Sequence, residues 1–224
     1  MRYEYCEYGG LKYITRYPRG YKDGDRCPVI VFLHGSGTRG DDLDMVRSNC
    51  FFSLTEGLEK FPFITIAPQC CAKTWFDVFE RLRELLYHVY YESYTDKARF
   101  YIMGTSLGGY GTWQTCISMP EIFAAAAPIC GGGMPSQTYE MVNVPVWAFH
   151  GDRDDAVYIE EARFMVDNLN KNGGSAKLTV YEGRGHGIWD EVYVREDLYE
   201  WFLSHENKNS IEVGDKFNDM TLYG

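Results

Sequence analysis

The stretch RFYIMGTSLGGYGTW, residues 99–113, decides how the chain reads. Residues 100–103 are a short apolar run with a β-branched residue, which predicts a buried strand. The run breaks at Gly104-Thr105-Ser106-Leu107-Gly108, a G-x-S-x-G pattern. Leu107, Tyr110 and Trp113 then recur at three-residue spacing, and Cys116 and Ile117 continue that face, predicting a helix. A strand that turns sharply into a helix needs small residues on both sides, because a Cβ there collides with neighbouring backbone. Gly104 and Gly108 supply that room. The turn holds Ser106 in a strained conformation, its hydroxyl exposed at the sheet edge and at a helix N-terminus. There an oxygen nucleophile gains from the helix dipole and from nearby free N–H groups.

Apolar strands and amphipathic helices alternate around this stretch. Residues 3–7 and 12–17 form an antiparallel hairpin pattern joined through Gly9-Gly10. VIVFL at 29–33 is a continuous apolar strand of the kind buried on both faces of a parallel sheet, and it ends in His34-Gly35-Ser36-Gly37. A charged loop follows at 38–44. Further strands are predicted at 63–67, 123–129, 144–149 and 177–181, with helices at 77–91, 159–169 and 191–203. This gives an α/β fold: a mostly parallel sheet flanked by helices, with an N-terminal antiparallel hairpin. Ligand sites in such sheets lie beyond the C-terminal strand ends. Those ends carry HGSG, GTSLGG, ICGGG, HGDRDD and GRGHG. The length of 224 residues suits a single domain, 1–224, with a core at about 3–204 and a polar tail at 205–224.

Composition narrows the partners. A net charge of −10 argues against nucleic acid or an anionic membrane surface. No run of about eighteen apolar residues predicts a membrane span. The N-terminus MRYEYCEYGG has no apolar signal-peptide core. The seven cysteines show no C-x-x-C or zinc-like spacing and read as free, mostly buried thiols. The expectation is a cytoplasmic protein without metal or organic cofactor; H-E-x-x-H and a P-loop are missing from the sequence.

Ser106 requires a base, and only five histidines exist. His88 lies within an amphipathic helix and His205 in the polar tail. His34 and His150 each precede a glycine at a strand end and read as turn residues whose rings bond backbone. His186 sits in a glycine-flanked loop after the last strand, where it can swing back over the sheet edge. The acid that orients the imidazole comes from Asp152, Asp154 and Asp155. The spacing Gly151-x-x-Asp154-x-x-Val157 favours Asp154, with Asp155 its rival. The order Ser106, Asp154, His186 is the nucleophile–acid–base order of one hydrolase architecture. Oxyanion donors fall to the N–H of Leu107 and to the HGSG loop, Ser36 first and Gly37 second.

These blocks, together with FLHGSGTRG, IAPQC, AAAAPICGGG, FHGDRDDAV and GHGIWDEVY, resemble those of the α/β-hydrolase superfamily. More narrowly, the chain is similar to compact phospholipase/carboxylesterase-like serine esterases and to relatives of the prolyl-oligopeptidase type. The resemblance runs from about residue 3 to residue 204. It implies Ser106, Asp154 and His186 as a catalytic triad, with main-chain donors at Ser36 and Leu107. Gln69, Trp75 and Trp189 fall in blocks that border the cleft, which implies substrate contacts. Asp155 departs from the Pro or small residue that often follows the acid.

The segment from 129 to 144 is too short for a cap domain. An uncapped cleft suits short acyl groups or esters displayed on carbohydrate, of acetyl or feruloyl type. The alternatives are a prolyl-oligopeptidase-type peptidase, which would use the same triad without a propeller, and a binding module on a hydrolase fold. Thioester hydrolysis would use the same residues.

Overall fold

Strict alternation along the central strands sets the layers of the fold, seen in a computed structural model that describes residues 1–208. β3 (Cys27–Leu33) turns Val29, Val31 and Leu33 to one face and Ile30 and Phe32 to the other. β4 (Ile64–Pro68) and β5 (Thr95–Thr105) repeat this, with Ile64, Ile66, Phe100 and Ile102 opposite Ala67, Tyr101 and Met103. All of these side chains are buried, as expected of strands covered on both faces.

The sheet has eight strands in the order β1-β2-β4-β3-β5-β6-β7-β8, where β1 is Tyr3–Tyr8, β2 Leu11–Arg16, β6 Ala125–Ile129, β7 Val146–Gly151 and β8 Ala176–Tyr181. β1 and β2 pair antiparallel, β2 meets β4 antiparallel, and the remaining neighbours are parallel. The expected hairpin and parallel sheet are therefore present, as in α/β hydrolases.

Helices α3 (Phe79–Tyr91), α4 (Leu107–Ser118) and α5 (Ile159–Lys171) cover one face with Leu82, Leu85, Trp113, Cys116, Met165 and Leu169. The other face is covered by α1 (Leu43–Arg47), α2 (Cys50–Glu56), α6 (Trp189–Tyr193) and α7 (Glu196–Leu203), through Val46, Phe51, Phe52, Val192, Leu198 and Phe202.

Three differences from the sequence reading bear on the site. The charged loop at 38–44 leads into two short helices, α1 and α2, rather than running as irregular chain. Asp42 and Asn49 cap them, their Oδ1 atoms accepting the N–H of Asp44 and Phe51 at 3.0 Å. The single helix expected at 191–203 is broken at Val194-Arg195 into α6 and α7. Tyr193 turns inward there, its hydroxyl bonded to Thr105 and its carbonyl accepting Tyr199 Oη–H at 2.9 Å. Between β6 and β7 the chain makes one 3₁₀ helix, Pro135–Met141, and no cap. The tail expected at 205–224 lies outside the described residues beyond Lys208. His205, within them, donates Nδ1–H to Trp201 O at 2.7 Å.

Candidate active site

Ser106 stands between β5 and α4 at φ 57° and ψ −116°, a left-handed conformation that non-glycine residues rarely adopt. The strain is held by neighbours. Ser106 N–H donates to Ile129 O at 2.8 Å, and Ser106 O accepts the N–H of Gly109 and Tyr110 at 2.8 and 3.1 Å. A Cβ at Gly108 would overlap the carbonyl of Leu33, and one at Gly104 the carbonyl of Gly108. Only glycine lets α4 start this close beneath the ends of β3 and β5.

His186 reaches the serine from the loop after β8, with Nε2 2.8 Å from Ser106 Oγ. Its Nδ1 lies 2.7 Å from Asp154 Oδ2. A carboxylate can only accept, so Nδ1 carries the proton and Nε2 is left to take the one on Ser106. The two loops can meet because β7 ends in Gly151, where a Cβ would overlap the carbonyls of Arg184 and Gly185.

Asp154 is buried, and of the three aspartates in its loop it is the one bonded to His186. Its Oδ1 accepts the N–H of Ala156 at 3.0 Å and of Val157 at 2.9 Å. Burial works against its charge, but the Val157 N–H, the His186 ring and the Ala156 N–H outweigh it and hold the carboxyl below its ordinary value. Asp155 is exposed. Asp152 is exposed as well and spends Oδ1 on Gly183 N–H at 2.6 Å.

Leu107 is the first residue of α4, so its N–H has no acceptor within the helix. Ser36 opens a 3₁₀ turn, Ser36–Thr38, at the end of β3, the strand next to β5. That loop is tied from behind. His34 Nδ1–H donates to Gly35 O at 2.7 Å, its Nε2 accepts Cys70 N–H at 3.0 Å, and Arg39 Nε donates to Ser36 O at 2.9 Å. Burial pushes the His34 imidazole down to about 4, so it stays neutral and keeps this bonding pattern.

A cleft of about 290 Å³ opens on Ser106 and His186, with Ser36, Gly37, Thr38, Asn49, Trp189 and Tyr193 in its walls. The Trp189 ring stands edge-on to His186 at 5.5 Å between centroids. Gln69 and Trp75 lie elsewhere, which corrects the reading that set them beside Trp189. Both are about 1% exposed and lie behind the HGSG loop, where Gln69 Nε2 donates to Thr38 O at 3.0 Å and Trp75 Nε1 to His34 O at 3.1 Å. Gln69 Nε2 and Trp75 Nε1 brace the loop, and neither residue is in the walls of the cleft. Thr38, Asn49 and Tyr193 were missed. Asn49 carries a readable signal, an Asn ahead of an apolar run, whereas Tyr193 reaches the cleft only through the break between α6 and α7.

The profile of the dienelactone hydrolase family matches residues 65–197, a span that includes the serine turn, the Asp154 loop and His186. The chain belongs to the dienelactone hydrolase family. The chain is similar to a thermostable esterase of known structure, with 29% identity, a TM-score of 0.78, and 92% of this chain and 63% of that one covered. The feruloyl esterase module from Clostridium thermocellum, an S954A mutant complexed with sinapinate, shares the fold at 15% identity and a TM-score of 0.62, covering 86% of this chain and 85% of that one. An uncharacterized secreted protein of Arthroderma benhamiae is 23% identical over 232 residues, 83% of this chain but 24% of its own length. The chain therefore spans about a quarter of that relative and under two thirds of the esterase.

Proposed function

We propose that this dienelactone hydrolase-family chain is a serine carboxylesterase that forms an acyl-enzyme on Ser106. The observation that carries the reading is the continuous chain of hydrogen bonds from Ser106 Oγ through His186 to Asp154, at 2.8 and 2.7 Å, built on a strained turn. Ser106 attacks the ester carbonyl while His186 Nε2 takes its proton, and the N–H groups of Leu107 and Ser36 receive the oxyanion. His186 then returns the proton to the leaving alcohol. Water hydrolyses the acyl-enzyme by the same route in reverse. Asp154 stays ionised throughout and stabilises the imidazolium.

The substrates are esters with short acyl groups or acyl groups displayed on carbohydrate, of acetyl or feruloyl type. The cleft of about 290 Å³ supports this, being a volume suited to a small acyl group or one aromatic ring. The feruloyl esterase module among its structural neighbours points the same way. Nucleic acid and membrane surfaces are not its partners, in keeping with a net charge of −10. Among the described residues no helix is long and apolar enough to cross a membrane.

Covalent labelling tests the nucleophile. An organophosphonate ester incubated with the protein is expected to leave one adduct, located by peptide mass spectrometry on Ser106. Labelling elsewhere, or none in folded protein, would contradict the assignment.

A further inference from the structure

Asp154 has a second imidazole on the oxygen it offers to His186. His150, on β7, is wholly buried, and its Nε2 lies 3.2 Å from Asp154 Oδ2 and 2.8 Å from Val157 O. The Val157 carbonyl can only accept, so the proton of this ring sits on Nε2 and is donated to that carbonyl, while the same nitrogen stands 3.2 Å from the carboxylate. Nδ1 has no partner, which suits a neutral ring, and burial disfavours its protonated form. The bonds close a small circuit. Val157 N–H binds Asp154 Oδ1, Val157 O accepts from His150, and His150 faces Asp154 Oδ2.

The same corner could be taken for a metal site. Donor atoms of Cys130, His150 and Asp154 lie within 4.8 Å of one another. The proton on His150 Nε2 removes the lone pair that faces the carboxylate. The Cys130 thiol, which burial pushes up to about 12, spends its hydrogen on His186 O at 3.3 Å. Both protons already have backbone acceptors, and a cation would have to displace them.

We infer that His150 is a positioning residue for hydrolysis: its Nε2–H, donated to Val157 O, lies 3.2 Å from Asp154 Oδ2, and the positive edge of the ring aims that oxygen at His186 Nδ1 and tempers its basicity. The inference rests on the Ser106–His186–Asp154 reading above. The titratable groups facing this carboxylate are His150, His186, the Cys130 thiol and, from α4, the Tyr110 hydroxyl. Cys130 and Tyr110 carry no charge at neutral pH, since burial raises both. An N–H lost from beside the carboxylate is therefore read through His186. Without His150 the carboxylate is a stronger base and freer to turn, so turnover falls and its acid limb moves to higher pH.

His150→Leu removes the donor, while His150→Gln returns an amide N–H near the place of Nε2. The expected result for His150→Leu is a kcat about tenfold lower with KM within about twofold, and an acid limb displaced upward. His150→Gln should recover most of both. A second readout needs no turnover: the deshielded ¹H NMR resonance of the His186–Asp154 bond. It should move downfield in His150→Leu and return in His150→Gln, with thermal melts confirming that each variant is folded. If His150→Leu matches wild type in resonance and pH profile, or if His150→Gln fails to restore them while folded, His150 has no such role. The underlying triad reading fails separately, through a wild type whose hydrolysis survives Ser106→Ala or whose deshielded resonance survives Asp154→Asn.

Discussion

His186 Nε2 lies 2.8 Å from Ser106 Oγ although the two residues are 80 positions apart in the chain. Each is delivered by its own loop at the C-terminal edge of the sheet. Nothing in either loop alone requires the contact; the order of the parallel strands does. Ser106→Ala removes the hydroxyl proposed as nucleophile but no core packing. Ester hydrolysis should drop by at least ~10⁴-fold, while the thermal midpoint stays within a few degrees of wild type. Steady-state kinetics and a melt on the same sample check both.

Asp154→Asn should cost about 10⁴-fold in kcat, because an amide cannot hold His186 with its proton on Nδ1. Asp155→Asn, at an exposed carboxylate, should change kcat less than about twofold. A larger loss at Asp155 than at Asp154 would reverse the assignment of the acid.

Gly108→Ala tests the turn itself. Its Cβ would overlap the Leu33 carbonyl, backbone that cannot move without shifting β3. The expected loss of stability is more than about 3 kcal/mol, read from urea unfolding, and soluble yield should fall with it. A stable Gly108→Ala protein would show that the close approach of α4 to β3 is relaxed in solution.

Acid stability should depend on His34. Its ordinary value is 6.5 and burial lowers it to about 4 in the folded chain, so the unfolded chain binds more protons between those limits. Stability therefore rises with pH across that window and is lost as pH falls from about 6.5 towards 4, by roughly 3 kcal/mol for this group. His150, also lowered by burial, contributes with the same sign. The carboxyl of Asp154 is lowered too, and as an acid it adds stability that is present above its unfolded value and lost below it. His34→Gln keeps an acceptor for Cys70 N–H but does not titrate. Unfolding free energies from pH 4 to 7 should show a shallower slope in that variant.

Trp189 and Trp75 separate the cleft from its support. Trp189→Ala should weaken hydrolysis of an aromatic acyl ester more than of an acetate, because its ring walls the cleft beside His186. Trp75→Phe deletes the bond to His34 O and should lower stability by about 1 kcal/mol or more, with little change in acyl preference. Kinetics on the two esters and a denaturation curve distinguish them.

Much of this was legible in the residues because it rests on local rules. Gly104 and Gly108 around Ser106 mark a turn that only glycine permits, and alternating apolar residues at 29–33 and 100–103 mark strands covered on both faces. The choice of Asp154 over Asp155 was only half legible: both lie in one loop, and the spacing to Val157 becomes a pair of backbone bonds only once the turn is formed. Gln69 and Trp75 misled because a place in a motif near the cleft does not say which way a side chain points. Both turn inward to satisfy backbone atoms of the HGSG loop. Helices α1 and α2 were hidden by their length. Five and seven residues are too few to show a period, and their caps at Asp42 and Asn49 were the readable trace. The second role of His150 depends on β7 and the Asp154 loop folding together, which no spacing announces.

The most direct measurement is hydrolysis of a panel of p-nitrophenyl esters from acetate to palmitate, with methyl ferulate and a proline-containing peptide anilide, by wild type and Ser106→Ala side by side. The expected result is hydrolysis that falls with acyl length, extends to the ferulate and vanishes in Ser106→Ala. Cleavage of the anilide alone, or a folded wild type silent on every ester, would contradict the esterase assignment.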